Sequence, residues 1–437
     1  MTAPAPLPSC VIVAEHASLS MGGEAAIPWH YFRVLRARGA LVHLVVHERV
    51  RDELDAIVTP GDEHLLHYTR DTWAHRFLCR AGEHIPARLA YFTLGFAMRT
   101  MTQLEARRIA RRLVAAEGID VVHQPIPISP REPSLMHRMG APVVIGPMNG
   151  GMSYPPGIGG DRRPARQLLE RLGVVGAAVL HRLAPGKRKA AALLVANERT
   201  RRALPFRRDE AVLVVAENGV DLDKWSPVDA EPSTDGAVEF VFLGRLIALK
   251  AVDVLIDALA RVADELADRG IDTRLTVVGD GPERAALEQA ATAARSQRGE
   301  PIAQRVAFTG WQTQERCIEL LGGADVFVMP SVHDAGGTVV IEAMALSKPV
   351  IATAWGGPGD YLDDSCGVLV EPDSREALVA GFASAMLDLA SDAERRAELG
   401  REGRRRVEAE YDWDVMVDRV IEVYRQAMRD EPQGAAV

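Results

Sequence analysis

ADVFVMPSVHDAGGTVVIEAMAL, residues 324–346, reads as one strand–loop–helix unit. Val326–Met329 is an apolar run without polar alternation, the pattern of a strand covered on both faces as in parallel sheets. The loop beyond it holds Asp334, then Gly336 and Gly337, which let the backbone approach a ligand closely. Thr338 reads as the N-cap of the next helix, whose free N–H groups favour an anion. Val339, Val340, Ile341, Ala343 and Met344 flank Glu342, so that helix is apolar nearly all round. A carboxylate there is costly unless it is paired or bound by a ligand. Dipole compensation or pairing with a structural arginine is the bland account of Glu342, and ligand contact is the reading taken here.

The same unit recurs on both sides of this stretch. Downstream of residue 236, further strands are expected at Glu239–Leu243, Arg274–Val278, Arg305–Thr309, Val350–Thr353 and Gly367–Leu369, each followed by a helical pattern or a glycine-rich loop. Upstream, strands are expected at Cys10–Ala14, Leu41–Val46, Val121–His123, Val143–Ile145, Leu193–Val195 and Val212–Val215, with a helix through Ala25–Ala37. Alternating strands and helices predict an α/β chain of doubly wound, mostly parallel sheets. WSPVDAEPSTDG (225–236) reads as a linker. The expected organisation is a first domain over 1–224, the linker, a second domain over 237–412, and a helix and tail over 413–437. Two such sheets imply a cleft, and ligands bind beyond the carboxyl ends of strands.

Several strand-end loops carry chemistry. FVFLGRLIALKAV (240–252) places Arg245 and Lys250 after a strand, in a chain with five lysines against 46 arginines. Two cations there suit a diphosphate, arginine by bidentate contact and lysine as a point charge. Gly22-Gly23 closes the first strand–helix turn, without GxGxxG or GxxxxGK[ST]; a tight turn or ligand contact fits equally. Gly279-Asp280 holds a nucleotide base or makes only a turn. His123 and Asn149 end first-half strands and are candidate sugar or acceptor contacts, although a histidine at such a position is more often structural than catalytic. Trp355-Gly356-Gly357 stands where it would wall a sugar site. No DxD-type metal pair accompanies Arg245, and the Asp363-Asp364 pair reads as surface.

Composition narrows the classes. Charged residues are 25% and hydrophobic residues 47% of the 437, as in ordinary globular proteins. No apolar run approaches the ~20 residues of a bilayer span. The N-terminus lacks a basic n-region, and Cys10, Cys79, Cys317 and Cys366 show no metal-like spacing. A cytoplasmic protein is expected. Residues 161–208 carry 13 basic and 3 acidic side chains. That stretch is either a solvated face or a patch for something anionic, and as a basic segment around LLERLGVVGAAVLHRL (168–183) it suits the inner face of an anionic membrane.

The order LGRLIALKAVDVLIDAL, LTVVGDGPE, VAFTGW, ADVFVMPS, HDAGGTVVIEAMALSKPVIAT and GVLVEP resembles the family 4 nucleotide-sugar glycosyltransferases. The match is specific over 215–372 and looser in the first half. The resemblance implies the GT-B fold, two Rossmann-like domains facing a cleft, with the last helix crossing back to the first domain. It implies retaining transfer from a UDP- or GDP-linked sugar to a glycan, glycolipid or lipid-linked acceptor in cell-envelope or exopolysaccharide synthesis. No essential metal, cofactor or nucleic acid is implied. Arg245 and Lys250 would stabilise the departing diphosphate, and the Gly336, Gly337 and Thr338 amides would add to that site. Glu342 matches the second carboxylate of the E-x7-E motif, which holds the ribose hydroxyls. Asp334 stands at the first and would hydrogen-bond the donor sugar, one methylene shorter than the usual glutamate. Gly22-Gly23 would close over the phosphates or meet the acceptor. Asn149 is the polar residue nearest to where the family often has a histidine, and Ala251 replaces a frequent glycine. The competing readings are a nucleotide-sugar epimerase or phosphorylase of the same fold, and a nucleotide-sugar-binding subunit without turnover.

Overall fold

In the computed structural model, which describes residues 6–158, 164–227 and 236–430, the chain forms two compact units. The first comprises residues 1–151, 162–218 and 413–437, the second 152–161 and 219–412. The sequence-based boundaries therefore shift. Residues 152–161, expected in the first domain, belong to the second unit, as do residues 219–224; the C-terminal helix Trp413–Asp430 belongs to the first, in keeping with the expected crossing back. Residues 228–235 of the expected linker, 161–163 of the basic stretch and 431–437 of the tail lie outside the described residues.

The first unit holds seven parallel strands: β1 (Cys10–Val13), β2 (Val42–His47), β3 (Leu66–Thr69), β4 (Val121–Gln124), β5 (Val143–Met148), β6 (Ala192–Val195) and β7 (Val212–Val214). Their order is β3-β2-β1-β4-β5-β6-β7. Cys10 lies opposite Val42 on one side and Val121 on the other. Strand β3, LHYT, was not expected, because two of its four residues are only half-buried and no apolar run announces it. Strand alternation sends Ile12, Leu44 and Val46 to one face, against the helices Gly23–Ala37 and Trp413–Asp430. Val11, Val13 and Val45 meet Ala106, Ala110 and Val114 of the helix Phe96–Glu117 on the other.

The second unit holds β8 (Val238–Leu243), β9 (Thr273–Val278), β10 (Val306–Gly310), β11 (Val326–Met329), β12 (Val350–Thr353) and β13 (Gly367–Val370). Their order is β10-β9-β8-β11-β12-β13, again parallel. Phe240, Phe242 and Val328 pack against Leu255 and Leu259 of the helix Asp253–Asp268 and Phe382 of Arg375–Ser391. Val220 and Asp412 pair where the chain enters and leaves this unit. In both sheets the winding reverses, between β1 and β4 and between β8 and β11. At such a reversal the flanking loops diverge to opposite faces and open a crevice beyond the carboxyl ends. The loops after β8 and β11 are therefore the ones that position a site. No helix among the described residues is long and apolar enough to cross a membrane.

Candidate functional site

After β8 the chain turns at Gly244, whose N–H donates to Val278 O (3.0 Å), while Leu246 N donates to Asp280 O (2.9 Å). A short 3-10 turn, Ala248–Lys250, follows and ends at Ala251 with φ 49. That left-handed conformation is disfavoured for a residue with a Cβ, which accounts physically for the glycine that the resemblance implies there. Val332 N donates to Leu249 O (3.0 Å), binding the loop after β11 to this turn. The tie brings Lys250 against Asp334, ammonium on carboxylate, with side chains only 15% and 16% exposed. The other Asp334 oxygen accepts the Gly337 N–H at 3.1 Å. Gly337, with φ 68, caps the helix Thr338–Ala345. Thr338 is thus the first helical residue and not the cap. Arg245 is exposed and makes no ion pair among the described residues.

The loop after β12 closes on the same place. Gly357 N donates to Asp334 O at 2.8 Å. A Cβ on Gly356 or Gly357 would lie 2.2 Å from Asp334 O or 2.1 Å from Gly336 O, so neither position admits a side chain without backbone movement. The segment beginning at Met152 completes this wall. Tyr154 stacks at a tilt on His333 with ring centres 4.7 Å apart, and Trp355 Nε1 donates to Ser153 O (2.7 Å). Sequence reasoning missed Tyr154 and His333, since nothing in a Gly- and Pro-rich stretch some 180 residues upstream signals the contact.

Glu342 lies in the second turn of its helix and is half-buried in the second unit. Burial pushes its carboxyl up to about 7, and Lys224 partly opposes the shift. Lys224, from the loop where the chain enters this unit, donates to Gln314 Oε1 at 2.5 Å. It too went unnoticed in the sequence, where it reads as the end of the first domain.

Arg245, Lys250, Asp334, Gly336, Gly337, Thr338 and Glu342 all belong to the loops and helix at the β8–β11 reversal. Gly279 and Asp280 adjoin them but serve the turn. A Cβ on Gly279 would sit 1.9 Å from Gly244 O. The Asp280 carboxylate is taken by Gly281 N (2.7 Å) and Arg284 (3.1 Å). Of the two roles the sequence left open, a base contact or a turn, these contacts show the turn.

In the first unit, Gly22 (φ 104) is the N-cap of the helix Gly23–Ala37. The loop before it is held by Glu53, whose carboxylate accepts from Leu19 N (2.7 Å), Ser20 N (3.1 Å) and the hydroxyls of Ser18 and Ser20. The sugar or acceptor role expected for His123 is corrected: the residue is fully buried in β4. Its Nε2 lies 2.6 Å from Gly146 O and its Nδ1 lies 2.7 Å from Tyr424 Oη. A carbonyl only accepts, so Nε2 carries the hydrogen and Nδ1 accepts from tyrosine. Burial pushes the ring down to about 4, so it stays neutral. Asn149 is buried as well, accepting from Thr200 Oγ1 at 3.3 Å inside the scaffold. His47, Asp71 and His75 form the one trio among the described residues whose ligand atoms lie within 4.8 Å of one another. Arg49 and Arg76 already face Asp71 at 3.5 and 3.8 Å. Arg49 N donates to His47 Nδ1, which keeps the ring hydrogen on Nε2. This trio does not present three lone pairs to a cation.

Comparison with known proteins agrees with this fold. Residues 237–392 match the model of the glycosyl transferases group 1 family. A D-inositol 3-phosphate glycosyltransferase of Streptomyces avermitilis is 31% identical over 232 residues, 51% of this chain and 49% of that protein. A GDP-mannose-dependent monoacylated alpha-(1-6)-phosphatidylinositol monomannoside mannosyltransferase of Corynebacterium glutamicum is 30% identical over 228 residues, 48% of this chain and 56% of that one. The chain spans about half the length of the curated relatives it matches. Among solved structures, Anabaena HepE in complex with UDP superposes with a TM-score of 0.61 at 15% identity, covering 96% of this chain and all of that one. Sucrose-phosphate synthase of Thermosynechococcus elongatus gives 0.61 at 18%, covering 97% of this chain and all of that one. The two parallel Rossmann-like sheets are therefore the fold of these solved structures, and the segment from 237 to 392, which carries Arg245, Lys250, Asp334 and Glu342, is the part of the chain that matches the glycosyl transferases group 1 family.

Proposed function

We propose that this protein is a retaining glycosyltransferase that moves a sugar from a UDP- or GDP-linked donor to a hydroxyl acceptor on a glycan or lipid-linked molecule, as in cell-envelope or exopolysaccharide synthesis. The observation that carries the proposal is that Lys250 and the start of the Thr338–Ala345 helix meet through Asp334 at the β8–β11 reversal, with Arg245 on the same loop after β8. Breaking the bond from the anomeric carbon to the diphosphate builds negative charge on the leaving group. Cations and oriented amides at that position stabilise the transition state more than the ground state. Glu342, when ionised, accepts from the ribose hydroxyls of the donor. Relatives named for inositol phosphate, phosphatidylinositol mannoside and glycogen acceptors support the acceptor class in general terms, and HepE bound to UDP-glucose supports the donor class.

A peripheral contact with an anionic membrane through residues 161–208 belongs to the same reading. Val175, Val179 and Leu183 of the Pro164–Leu183 helix recur every four residues and are exposed, which gives a basic stretch an apolar edge.

The test is release of nucleoside diphosphate from a panel of nucleotide sugars, with and without acceptor extracts. The Arg245→Ala variant should turn over about 10²–10³ times more slowly. Undiminished turnover in that variant removes the leaving-group assignment, and isomerisation of the free donor without transfer favours an epimerase.

A further inference from the structure

Asp334 holds the two donors that a diphosphate would need. One carboxylate oxygen contacts the Lys250 ammonium and the other accepts from Gly337 N at the head of the Thr338–Ala345 helix (3.1 Å). Both charged side chains are mostly withdrawn from water, so the pair is screened little. The single Gly337 N–H cannot serve both anions, and a diphosphate drawn to Lys250 would stand against the Asp334 carboxylate, where like charges repel in a partly buried site. Arg245, exposed and unpaired among the described residues, is by contrast available to a first phosphate contact.

We propose that Asp334 is an internal competitor for the diphosphate position. It yields Lys250 and the Gly337 amide when the nucleotide sugar binds, and it reclaims them as the nucleoside diphosphate leaves. This rests on the donor-site reading above and assigns Asp334 a role different from holding the donor sugar. The loop is built for a small exchange of this kind. Its backbone is fixed by Val332 N to Leu249 O (3.0 Å) and Gly357 N to Asp334 O (2.8 Å), so the side chain moves while the main chain stays. No covalent step is involved. The competition lowers affinity for every ligand that fills the diphosphate position, the departing nucleoside diphosphate included, and so favours turnover where release limits the rate.

Binding of UDP and GDP to the full-length protein, measured by calorimetry for wild type, Asp334→Asn and Asp334→Ser, tests the idea. Asparagine keeps the shape without the charge, and serine retains an oxygen for the Gly337 amide. Both variants should bind the better nucleoside diphosphate about tenfold more tightly, and in steady state KM and kcat should fall together. Unchanged or weaker nucleoside diphosphate binding in both variants, with wild-type binding intact and both folded by thermal unfolding, overturns the proposal alone. A role in holding the sugar predicts that second pattern, with loss confined to the nucleotide sugar. Absence of UDP and GDP binding in wild type and variants overturns the donor-site reading and the proposal with it.

Discussion

Glu342 combines a cost to the fold with a use in the site. Its carboxyl titrates near 7 in the folded chain against 4.5 ordinarily, because burial disfavours the charge. The unfolded chain therefore loses this proton from about pH 4.5, while the fold keeps it up to about 7. Across that window the native state binds more protons, so stability falls as pH rises and then stays low. Glu342→Gln should be more stable than wild type by roughly 1–3 kcal/mol at pH 8, with the difference vanishing near pH 4.5, as read by chemical unfolding at several pH values. The same substitution should weaken nucleoside diphosphate binding at pH 8. Wild-type binding should tighten as pH rises from 6 to 8, because only the ionised carboxylate accepts both ribose hydroxyls; a flat wild-type profile would exclude Glu342 from the nucleotide contact. The carboxylate, the two cations and the glycines were legible from residue type and spacing. The role of Lys224 was not, since nothing local distinguishes it from a solvated lysine.

At the level of elements, the Trp413–Asp430 helix shows how a distant segment becomes part of a sheet's core. Trp413, Met416, Val417, Val420 and Tyr424 are buried with β1 and β2 side chains. Tyr424 also donates to His123, 2.7 Å away in the sheet. Tyr424→Phe leaves the buried His123 Nδ1 without a donor and should cost about 1–3 kcal/mol in unfolding experiments. His123 itself adds an acid sensitivity. Its ring titrates at about 4 in the fold against 6.5 ordinarily, so the unfolded chain binds the extra proton between those values and stability declines as pH drops through them. The sequence marked His123 for its place at a strand end, a position that serves catalysis in some proteins and packing in this one. What separates the two is whether its ring nitrogens are taken, and a residue 301 positions later takes one of them. The 413–428 helix itself was plain from its periodicity, but its docking face was not. Strand β3 stayed hidden because His67 and Tyr68 break the apolar signal.

For the whole molecule, the chain order and the compact units differ. The first unit is completed by residues from the C-terminus, so residues 1–224 alone lack the helix that covers one face of their sheet. That fragment should be aggregated or molten, with weak near-ultraviolet circular dichroism, and fusing residues 413–430 to its end should restore a cooperative unfolding transition. Recovery of native-like unfolding by 1–224 unaided would contradict the assignment of the helix to that core. By itself the sequence determined two series of strand–helix units, the parallel character of their sheets and the chemical inventory of the loops after β8 and β11, because these depend on local periodicity and residue type. Only the tertiary structure decided which of those groups meet. Lys250 and Asp334 lie 84 positions apart, and they touch because the strand order β9-β8-β11-β12 sets one strand end beside another. Pairing of side chains so distant along the chain depends on sheet order and backbone ties between loops, neither of which any single segment encodes.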